Sequence, residues 1–318
     1  MNIRFMANRY VFYFISGALM IAAIIGLCVK GFNYGIDFKG GNIIHVTFNE
    51  AANEPKIKDA FKAMSETYKT TNIEGKPLYF SADSIVVQAV AGGQDREFII
   101  QYPAASIDTA DTAKAHDFIL SELKKAMPYA NETLEVSNVG PTLGDEMKKQ
   151  GILAAILSCI GILLYLGYRF DFPSATGVVL AVVHDLIITL GFICFSGMEF
   201  DTTVLAAVLT LLGYSVNDSI VIFDRIRENK RISKDGTTYE VIVDNSINQS
   251  LSRTLNTTIT TLLALVALVL YGGDSIHSFS VALLFGSVIG TYSSNCLAAP
   301  MVADLFLSQK NQPATYGK

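Results

Sequence analysis

The sequence has few charged residues. Asp, Glu, Lys and Arg make up 17% of its 318 residues, while hydrophobic residues make up 51%. Soluble globular chains carry about 25% charged residues, so this composition favours a membrane protein. A basic stripe with interleaved aromatic residues, which marks many nucleic-acid-binding proteins, is also missing. The sequence therefore predicts no nucleic-acid partner.

The sequence has few cysteines and no phosphate-binding loop of the Walker type. The chain has four cysteines, all in or beside apolar runs: Cys28, Cys159, Cys194 and Cys296. This placement indicates no disulfide framework, and the spacing suits no metal site. A Gly-rich loop of the Walker type is absent, so ATP hydrolysis is not expected. The sequence predicts neither an enzyme nor a bound cofactor.

Long apolar runs are the main feature of the sequence. Runs of about 20 residues are long enough to cross a bilayer as helices. They cover residues 10–29, 150–168, 174–195, 202–223, 255–271 and 279–306. We expect the last run to be tilted or broken near Asn295 and Pro300. The first is too long for a signal-peptide core and lacks a convincing cleavage site, so it is interpreted as a retained span.

Lys and Arg residues alternate between the connections. The amino-terminal segment carries Arg4 and Arg9, the second connection Arg169, and the fourth connection (224–254) six Lys and Arg residues. The third connection (196–201) and the fifth (272–277) carry none. Positive charge marks cytoplasmic loops, so both termini are predicted to be cytoplasmic. The first connection is long enough to cross regardless of its charge and is predicted to lie outside.

This first connection is predicted to fold as a small extracytoplasmic domain. Strand-like and helix-like runs follow in the order β-α-β-β-α-β, at residues 42–48, 56–68, 84–89, 97–102, 109–127 and 134–139. That order is typical of a ferredoxin-like α+β fold. The predicted organisation is an α-helical integral membrane protein with an inserted domain. Its parts are the first transmembrane helix (1–30), the domain (31–149), a five-helix region (150–308) and a cytoplasmic tail (309–318).

The fourth connection, residues 224–254, contains an amphipathic segment. Apolar residues recur at every fourth position, at Tyr239, Val243, Ile247 and Leu251. This pattern fits a cytoplasmic helix that lies along the membrane interface. A surface helix packed on the ends of the transmembrane helices fits it equally well.

Asp218 is the most unusual residue, because it lies in an otherwise apolar transmembrane run. A charge at the centre of a bilayer costs from about 2.5 to over 10 kcal/mol, so such a residue usually pairs, carries a proton or lines an ion path. Asp218 lies roughly 9 Å from the cytoplasmic end of the run, at about 1.5 Å per residue. Asn217 belongs to the same polar stripe. These features favour a functional role for Asp218.

Arg253 is the candidate partner of Asp218. It leads the fifth run near the cytoplasmic boundary, with Asn256 and Thr260 on the same side of the helix. A long Arg side chain reaches over several ångströms, so Arg253 and Asp218 can meet if their helices are neighbours. Burial disfavours a charged carboxylate and a nearby cation favours it. Approach and withdrawal of Arg253 would therefore couple protonation of Asp218 to conformation.

His184 and Asp185 form a second polar group, near the middle of the third run. Neighbours in a helix point about 100° apart, so these two residues need not pair with each other. For Asp185, structural pairing and a place in a proton path both stay open. For His184 a satisfied structural role is favoured. The Ser, Thr and Asn residues of the spans are interpreted as hydrogen-bonding contacts between helices.

Five stretches resemble the SecF family of bacterial membrane proteins, the smaller subunits of SecDF protein-export complexes in the resistance-nodulation-division superfamily. The stretches are GIDFKGG (35–41), VGPTLGDEM (139–147), the His184–Asp185 pair, LGYSVNDSIVIFDRIREN (212–229) and SINQSLSRTLNTTITTLL (246–263). They run in order over nearly the whole chain. Small departures occur at Met147, where Leu is more usual, and at Ser219, where Thr is.

The resemblance implies a function in protein export at the bacterial inner membrane. Members of the family join SecD, and the pair assists polypeptides that leave the SecYEG channel, at the expense of the proton-motive force. Their proton path corresponds to Asp218 and Arg253 here, with Asp185 as a weaker correspondence. Six spans would form half of the superfamily's twelve-span arrangement, and the polar faces would meet the second half rather than membrane lipid.

Two alternatives were weighed. A proton-coupled small-molecule exporter of the same superfamily carries twelve spans and two large inserts in one chain, unlike this sequence. An intramembrane protease could pair Asp185 with Asp218, or Ser215 with His184. The Gly-x-Gly-Asp context of one such protease class is missing before Asp218, and no nucleophile motif surrounds Ser215.

Overall fold

The computed structural model of the chain describes residues 3–68, 85–90, 95–103, 112–139, 141–233 and 237–310. The last part of the expected tail, 311–318, lies outside the described residues. The helices are α1 (Arg9–Val29), α2 (Ile36–Lys39), α3 (Glu54–Tyr68), α4 (Thr112–Ala126), α5 (Pro141–Arg169), α6 (Phe172–Ser196), α7 (Thr202–Ile232), α8 (Tyr239–Tyr271), α9 (Asp274–Ser293) and α10 (Ala299–Lys310). The strands are β1 (Asn33–Tyr34), β2 (Gly41–Phe48), β3 (Val86–Ala89), β4 (Glu97–Pro103), β5 (Tyr129–Val139) and β6 (Glu199–Phe200).

The chain forms two compact units. One comprises Met1–Asn33 and Ile152–Lys318, and the other Tyr34–Gly151. The first unit is helical and apolar, and it contains both intramembrane carboxylates predicted from the sequence. The second is a small α+β unit.

The α+β unit contains a four-stranded sheet in the order β3-β4-β2-β5. All three strand pairs are antiparallel, and alternate residues of β2 are fully buried, with Ile44, Val46 and Phe48 on the inner side. These residues pack against Ile57 and Phe61 of α3 in a single apolar core. A ferredoxin-like fold stays a prediction for this unit, and the β-α-β-β-α-β element order supports it.

Two of the sequence motifs meet within this unit. Helix α2 ends at Gly40, whose φ of 76° is a conformation that residues with a side chain rarely adopt. A Cβ added at Gly144 would lie 2.8 Å from the Phe38 carbonyl oxygen, too close for any side chain. The glycines therefore allow the Gly35–Gly41 turn and the start of α5 to touch backbone to backbone.

Six helices in the described chain are long and apolar enough to cross a membrane. They are Arg9–Val29, Gly144–Arg169, Phe172–Ser196, Thr202–Ile232, Tyr239–Tyr271 and Ile276–Leu307. The six predicted spans are thereby confirmed, and the chain is a multi-pass membrane protein. The central spans α6, α7 and the α9–α10 pair are about half buried, whereas α1, α5 and α8 are mostly exposed.

The last span is irregular where the sequence suggested it would be. A π turn, Ser294–Ala298, separates α9 from α10 and includes Asn295. Single π turns within α-helices widen the backbone spiral and occur often at functional sites. This one lies at the depth of the polar core described below.

The amphipathic segment predicted within residues 224–254 forms the first part of α8 rather than a helix of its own, and its cytoplasmic location stays a prediction. Helix α7 continues to Ile232, and α8 begins at Tyr239 and runs without interruption into the fifth span. Val243 and Ile247 are fully buried in the core of the helical unit rather than facing a membrane surface. The segment 239–271 contains no Gly or Pro to end a helix, so the amphipathic part and the span form one rod.

The amino-terminal segment binds the beginning of α8. Asn248 accepts from the Ile3 backbone N–H at 2.9 Å and donates to the Ile3 carbonyl at 2.8 Å. The Met6 N–H donates to Asp244 at 2.8 Å, and Arg9 reaches Asp304 of α10 at 3.1 Å. These contacts fix this end of α8 to α1 and α10.

Candidate functional site

The helical unit encloses polar side chains where α6, α7, α8 and α9 pack together. Helices α6, α7 and α9 contact one another, and α8 packs on α7 and α9. Small residues permit the close approach, since Ser215, Ser219, Ser287 and Ser293 are almost entirely buried. The hydroxyls of Ser215, Ser219 and Ser293 form hydrogen bonds at depths where apolar side chains would leave a carboxylate unsatisfied.

Asp185 lies at the junction of three helices and uses both of its oxygens. Oδ2 accepts from the Ser215 hydroxyl of α7 at 2.6 Å and from the Ser293 hydroxyl of α9 at 2.7 Å. Oδ1 lies 2.9 Å from Nδ1 of His184. The carboxylate thus has three partners on three helices. Three short contacts from three side chains hold the carboxylate in one position.

The adjacent His184 pairs with Asp185 through its side chain. The sequence reasoning allowed the two to point apart, but the imidazole turns toward the carboxylate. His184 is 3% exposed, and its Nε2 has no partner among the described residues. The contact of its Nδ1 with Asp185 fits the structural role favoured for His184.

A second set of serine contacts joins α7 to the π turn. Ser219 donates to Ser294 at 3.1 Å, and Ser294 also lies 3.3 Å from the Ser215 carbonyl. Gly290 makes this approach possible, because a Cβ there would lie 3.3 Å from the Ser215 Cβ. The contacts fix α7 against α9 beside Asp185.

Asp218 lies on the same helix as Ser215 but is bonded differently. It is 4% exposed, and its Oδ2 has no hydrogen-bond partner among the described residues. Thr291 of α9 is a neighbour of the carboxylate, and Arg253 is near enough to act on it electrostatically. No ion pair within 4.0 Å joins Asp218 to Arg253 in the described chain. The carboxylate is therefore buried with part of its bonding capacity unused.

Hydroxyl groups join α8 to α7 and α9 beside Asp218. The Tyr214 hydroxyl donates to Thr258 at 3.4 Å, and the Thr258 hydroxyl lies 2.8 Å from that of Thr291. The Thr291 hydroxyl also donates to the Ser287 carbonyl of its own helix at 2.9 Å. The helix that carries Arg253 is therefore held against both of its neighbours beside Asp218.

The other predicted site residues divide into two groups. His184, Asp185 and Asp218 are buried inside the unit. Arg253 lies on the exposed side of α8, and the supporting polar residues Asn217, Asn256 and Thr260 are exposed as well. The structure therefore brings Arg253 near Asp218 at the edge of the core, and it places three polar residues on an outer face.

Sequence reasoning missed the partners of the carboxylates. The sequence analysis expects hydrogen bonds between helices from the Ser, Thr and Asn residues of the spans, but it does not assign Ser215 or Ser293 to Asp185. The signal that could have found Ser293 is the concentration of small hydroxyl residues toward the end of α9, at Ser287, Thr291 and Ser293. In the part of the chain that the structure describes, no three His, Cys, Asp or Glu side chains are placed to hold a metal ion.

Comparison with protein families matches two regions of the chain. Residues 119–308 match the model "Protein export membrane protein SecD/SecF, C-terminal", and residues 25–52 match the "SecD/SecF GG Motif". The second match contains the turn at Gly40. The first contains both buried carboxylates and Arg253.

Curated relatives match over almost their full length. The chain is 38% identical to the protein translocase subunit SecF of Rickettsia prowazekii, over 96% of this chain and 91% of the relative. It is 37% identical to that of Rickettsia bellii, over 96% of this chain and 94% of the relative.

Two solved structures are similar in fold and sequence. The crystal structure of SecDF, a translocon-associated membrane protein from Thermus thermophilus, matches 98% of this chain with a TM-score of 0.77 and 30% identity. SecDF in a super-membrane-facing form matches with a TM-score of 0.67 and 30% identity. The chain spans 39% and 40% of the length of those two proteins.

Proposed function

The chain belongs to the SecF family of protein translocase subunits, which act in protein export, and we propose that it uses a proton gradient to assist export. In this proposal it pairs with SecD and acts on polypeptides that emerge from the SecYEG channel of the bacterial inner membrane. It acts as an accessory subunit and not as an enzyme, with both termini in the cytoplasm and residues 34–151 outside.

The observation that carries the proposal is the state of Asp218. A buried carboxylate whose two oxygens both accept hydrogen bonds is held in one protonation state. Asp218 differs, because it is 4% exposed and its Oδ2 has no hydrogen-bond partner among the described residues. Burial in general disfavours a charged carboxylate, and a nearby cation such as Arg253 favours it. The balance between the two therefore depends on the position of Arg253.

Arg253 is placed so that a movement of α8 changes this balance. Its side chain is at the exposed edge of the unit, and it is not locked to Asp218 in an ion pair within 4.0 Å. When Arg253 approaches, Asp218 releases its proton; when Arg253 withdraws, Asp218 binds one. A membrane potential supplies about 2.3 kcal/mol per charge per 100 mV, which is sufficient to bias such a movement.

The exposed polar face supports pairing with SecD. Arg253, Asn256 and Thr260 on α8 and Asn217 on α7 are exposed, although both helices are apolar enough to cross a membrane. Polar groups in a membrane usually face protein or water rather than lipid. A second half bound here would cover them and would place Arg253 between the two subunits. Both similar solved structures are of SecDF.

Replacement of Asp218 by Asn tests the proposal. Asp218→Asn retains the shape of the side chain and removes its titration. We expect inverted membrane vesicles that contain the complete complex to lose the stimulation of polypeptide export by a proton gradient. Export driven by ATP alone should stay at its basal rate.

Asp59→Asn is the matched control, because Asp59 is exposed on α3 of the α+β unit. It should leave gradient stimulation unchanged. Full stimulation of export in Asp218→Asn vesicles would reject a proton-dependent function of this site.

A further inference from the structure

Four basic residues lie near the end of α7, and only two of them have a partner. They are Arg225, Arg227, Lys230 and Arg231. Arg225 forms an ion pair with Glu228 at 2.8 Å, and the Lys230 ammonium lies 4.7 Å from the centre of the Phe306 ring. Arg227 and Arg231 are exposed, and neither has a hydrogen bond or an ion pair to another described residue. Their guanidinium groups, with five N–H donors each, are therefore available to a ligand.

The carboxylates at this end of the helical unit already have partners. Both oxygens of Asp224 accept from Arg169 at 2.9 Å. Glu228 is engaged in the ion pair described above, and Asp171 accepts from the Ser174 hydroxyl at 2.8 Å. The two unpartnered arginines therefore leave positive charge that the described part of the chain does not compensate.

These two arginines lie on the side of α7 that contacts the end of α5. Arg227 and Arg231 follow Asp224 by three and seven residues, so all three share one side of the helix. Arg169 is the last residue of α5 and contacts this side through Asp224. We call Arg169, Arg227 and Arg231 the basic corner.

Two aromatic side chains beside the basic corner are largely uncovered. Tyr168 is 93% exposed and Phe172 is 82% exposed, and they flank Arg169 in the chain. The connection between them joins two helices that are long and apolar enough to cross a membrane. Tyr residues at such helix ends are typical of the aromatic belt at the level of the lipid headgroups. The basic corner therefore lies at the boundary of the membrane.

Both unpartnered arginines can reach the phosphate layer of a bilayer. A bilayer has about 30 Å of hydrocarbon within about 40–45 Å in total, which leaves roughly 5–8 Å for the headgroups on each side. Arg227 and Arg231 lie about 4.5 and 10.5 Å beyond Asp224 along the α7 axis, at about 1.5 Å per residue. Long Arg side chains bend toward this layer, because their stems are apolar and their heads are charged.

We propose that the basic corner binds the phosphate group of an anionic phospholipid, whose acyl chains lie along Tyr168 and Phe172. Guanidinium groups bind phosphate oxygens with two parallel hydrogen bonds, and basic residues just beyond a transmembrane helix attract anionic lipids. The exposed aromatic residues extend the site toward the hydrocarbon layer, which suits a lipid better than an acidic segment of another protein. This site is independent of proton use by Asp218.

Fluorescence quenching by brominated lipids tests the site in a bilayer. The chain contains no Trp, so Tyr168→Trp introduces a single indole beside the basic corner. The full chain is reconstituted in phosphatidylcholine vesicles that contain a minor fraction of either brominated phosphatidylglycerol or brominated phosphatidylcholine. Bromine on the acyl chains quenches an indole that it contacts. We expect brominated phosphatidylglycerol to quench severalfold more strongly, because the site enriches this lipid over the bulk bilayer.

Two double variants separate the site from the net charge of the helix end. In the Tyr168→Trp background, Arg227→Gln with Arg231→Gln should lower the affinity for phosphatidylglycerol about thirtyfold, or about fivefold for each arginine, and so remove the preference. Arg225→Gln with Lys230→Gln removes the same charge from the same helix end and should retain most of the preference. All variants should unfold close to the parent temperature, since none of the four side chains is buried.

The other outcomes would overturn the proposal. Equal quenching by the two lipids in the parent would show that the corner does not select an anionic headgroup. An equal loss of preference in both double variants would show that net charge alone decides. An unchanged preference in a folded Arg227→Gln, Arg231→Gln variant would assign these arginines to a partner other than a lipid.

Inorganic phosphate distinguishes a lipid headgroup from a free anion. Vesicles are prepared in inorganic phosphate and compared with vesicles in chloride at the same ionic strength. A preference that persists in phosphate supports the lipid site, because the acyl chains anchor the ligand beside Tyr168→Trp. Loss of the preference in phosphate alone would indicate a site for the free anion and would overturn the lipid assignment.

Discussion

Asp185 and Asp218 are buried to nearly the same extent, 5% and 4% exposed, in helices that pack against each other. Their surroundings differ. Asp185 has short contacts from Ser215, Ser293 and His184 that engage both of its oxygens. Asp218 has Thr291 as a neighbour, and its Oδ2 has no hydrogen-bond partner among the described residues.

The difference indicates two uses of the same chemical group. A buried carboxylate must be compensated by donors or by a cation, or else it binds a proton. Asp185 is compensated by fixed groups on three helices, so it holds those helices together. Asp218 is compensated only in part, and its remaining compensation comes from Arg253 at the edge of the unit. A place for Asp185 in a proton path is the alternative, and the comparison of Asp185→Asn with Asp218→Asn below tests it.

The largest effect should follow removal of Asp185. Asp185→Ala leaves two serine hydroxyls and one imidazole nitrogen buried without their acceptor, and loss of one partner from such a network costs about 3 kcal/mol or more. We expect thermal unfolding of the purified protein in detergent to occur at a clearly lower temperature. Asp59→Ala, at an exposed position, should unfold at the normal temperature. An unchanged midpoint for Asp185→Ala would contradict the structural role.

Smaller losses should follow removal of single donors. Ser215→Ala and Ser293→Ala each remove one hydrogen bond to Asp185 and should each lower the free energy of unfolding by about 1–2 kcal/mol. Because the two serines share one acceptor oxygen, the double variant should deviate from the sum of the single effects. Strict additivity, measured by the same unfolding assay, would show that the two contacts act independently.

The amino-acid sequence was sufficient for much of the architecture. The six spans followed from their apolar length, and the cost of burial singled out Asp218 before any coordinates. The sequence did not decide how the amphipathic segment packs. The buried positions Val243 and Ile247 have the same spacing in an interfacial helix as in a helix that continues into a span. Periodicity identifies a face of a helix but not the element that covers it.

The partners of the carboxylates could not be obtained in the same way. Ser215 and Ser293 contact Asp185 from helices that are distant in the chain. Which hydroxyl meets which carboxylate depends on the rotation of α6, α7 and α9 about their axes, and tertiary packing fixes that rotation. The His184 contact also depends on a side-chain rotamer rather than on the helical angle between neighbours.

The smallest predicted effect concerns Gly290, where the backbone comes near Asp185. A Cβ there would lie 3.3 Å from Ser215 Cβ and 3.6 Å from Asp185 Oδ2, which is tight but not a severe clash. We expect Gly290→Ala to destabilise by about 1 kcal/mol or less, since the strain partly offsets the better helix propensity of Ala. Gly161→Ala, with open space at α5, should be neutral or stabilising.

The most direct test compares Asp218→Asn with Asp185→Asn in gradient-stimulated polypeptide export, with each rate normalised to the amount of folded complex. If Asp218 titrates and Asp185 holds the helices together, Asp218→Asn should lose the stimulation while its unfolding temperature changes little. Asp185→Asn should retain the stimulation, and its unfolding temperature should be lower. Full stimulation in Asp218→Asn, together with loss of stimulation in a stably folded Asp185→Asn, would contradict these different roles of the two carboxylates.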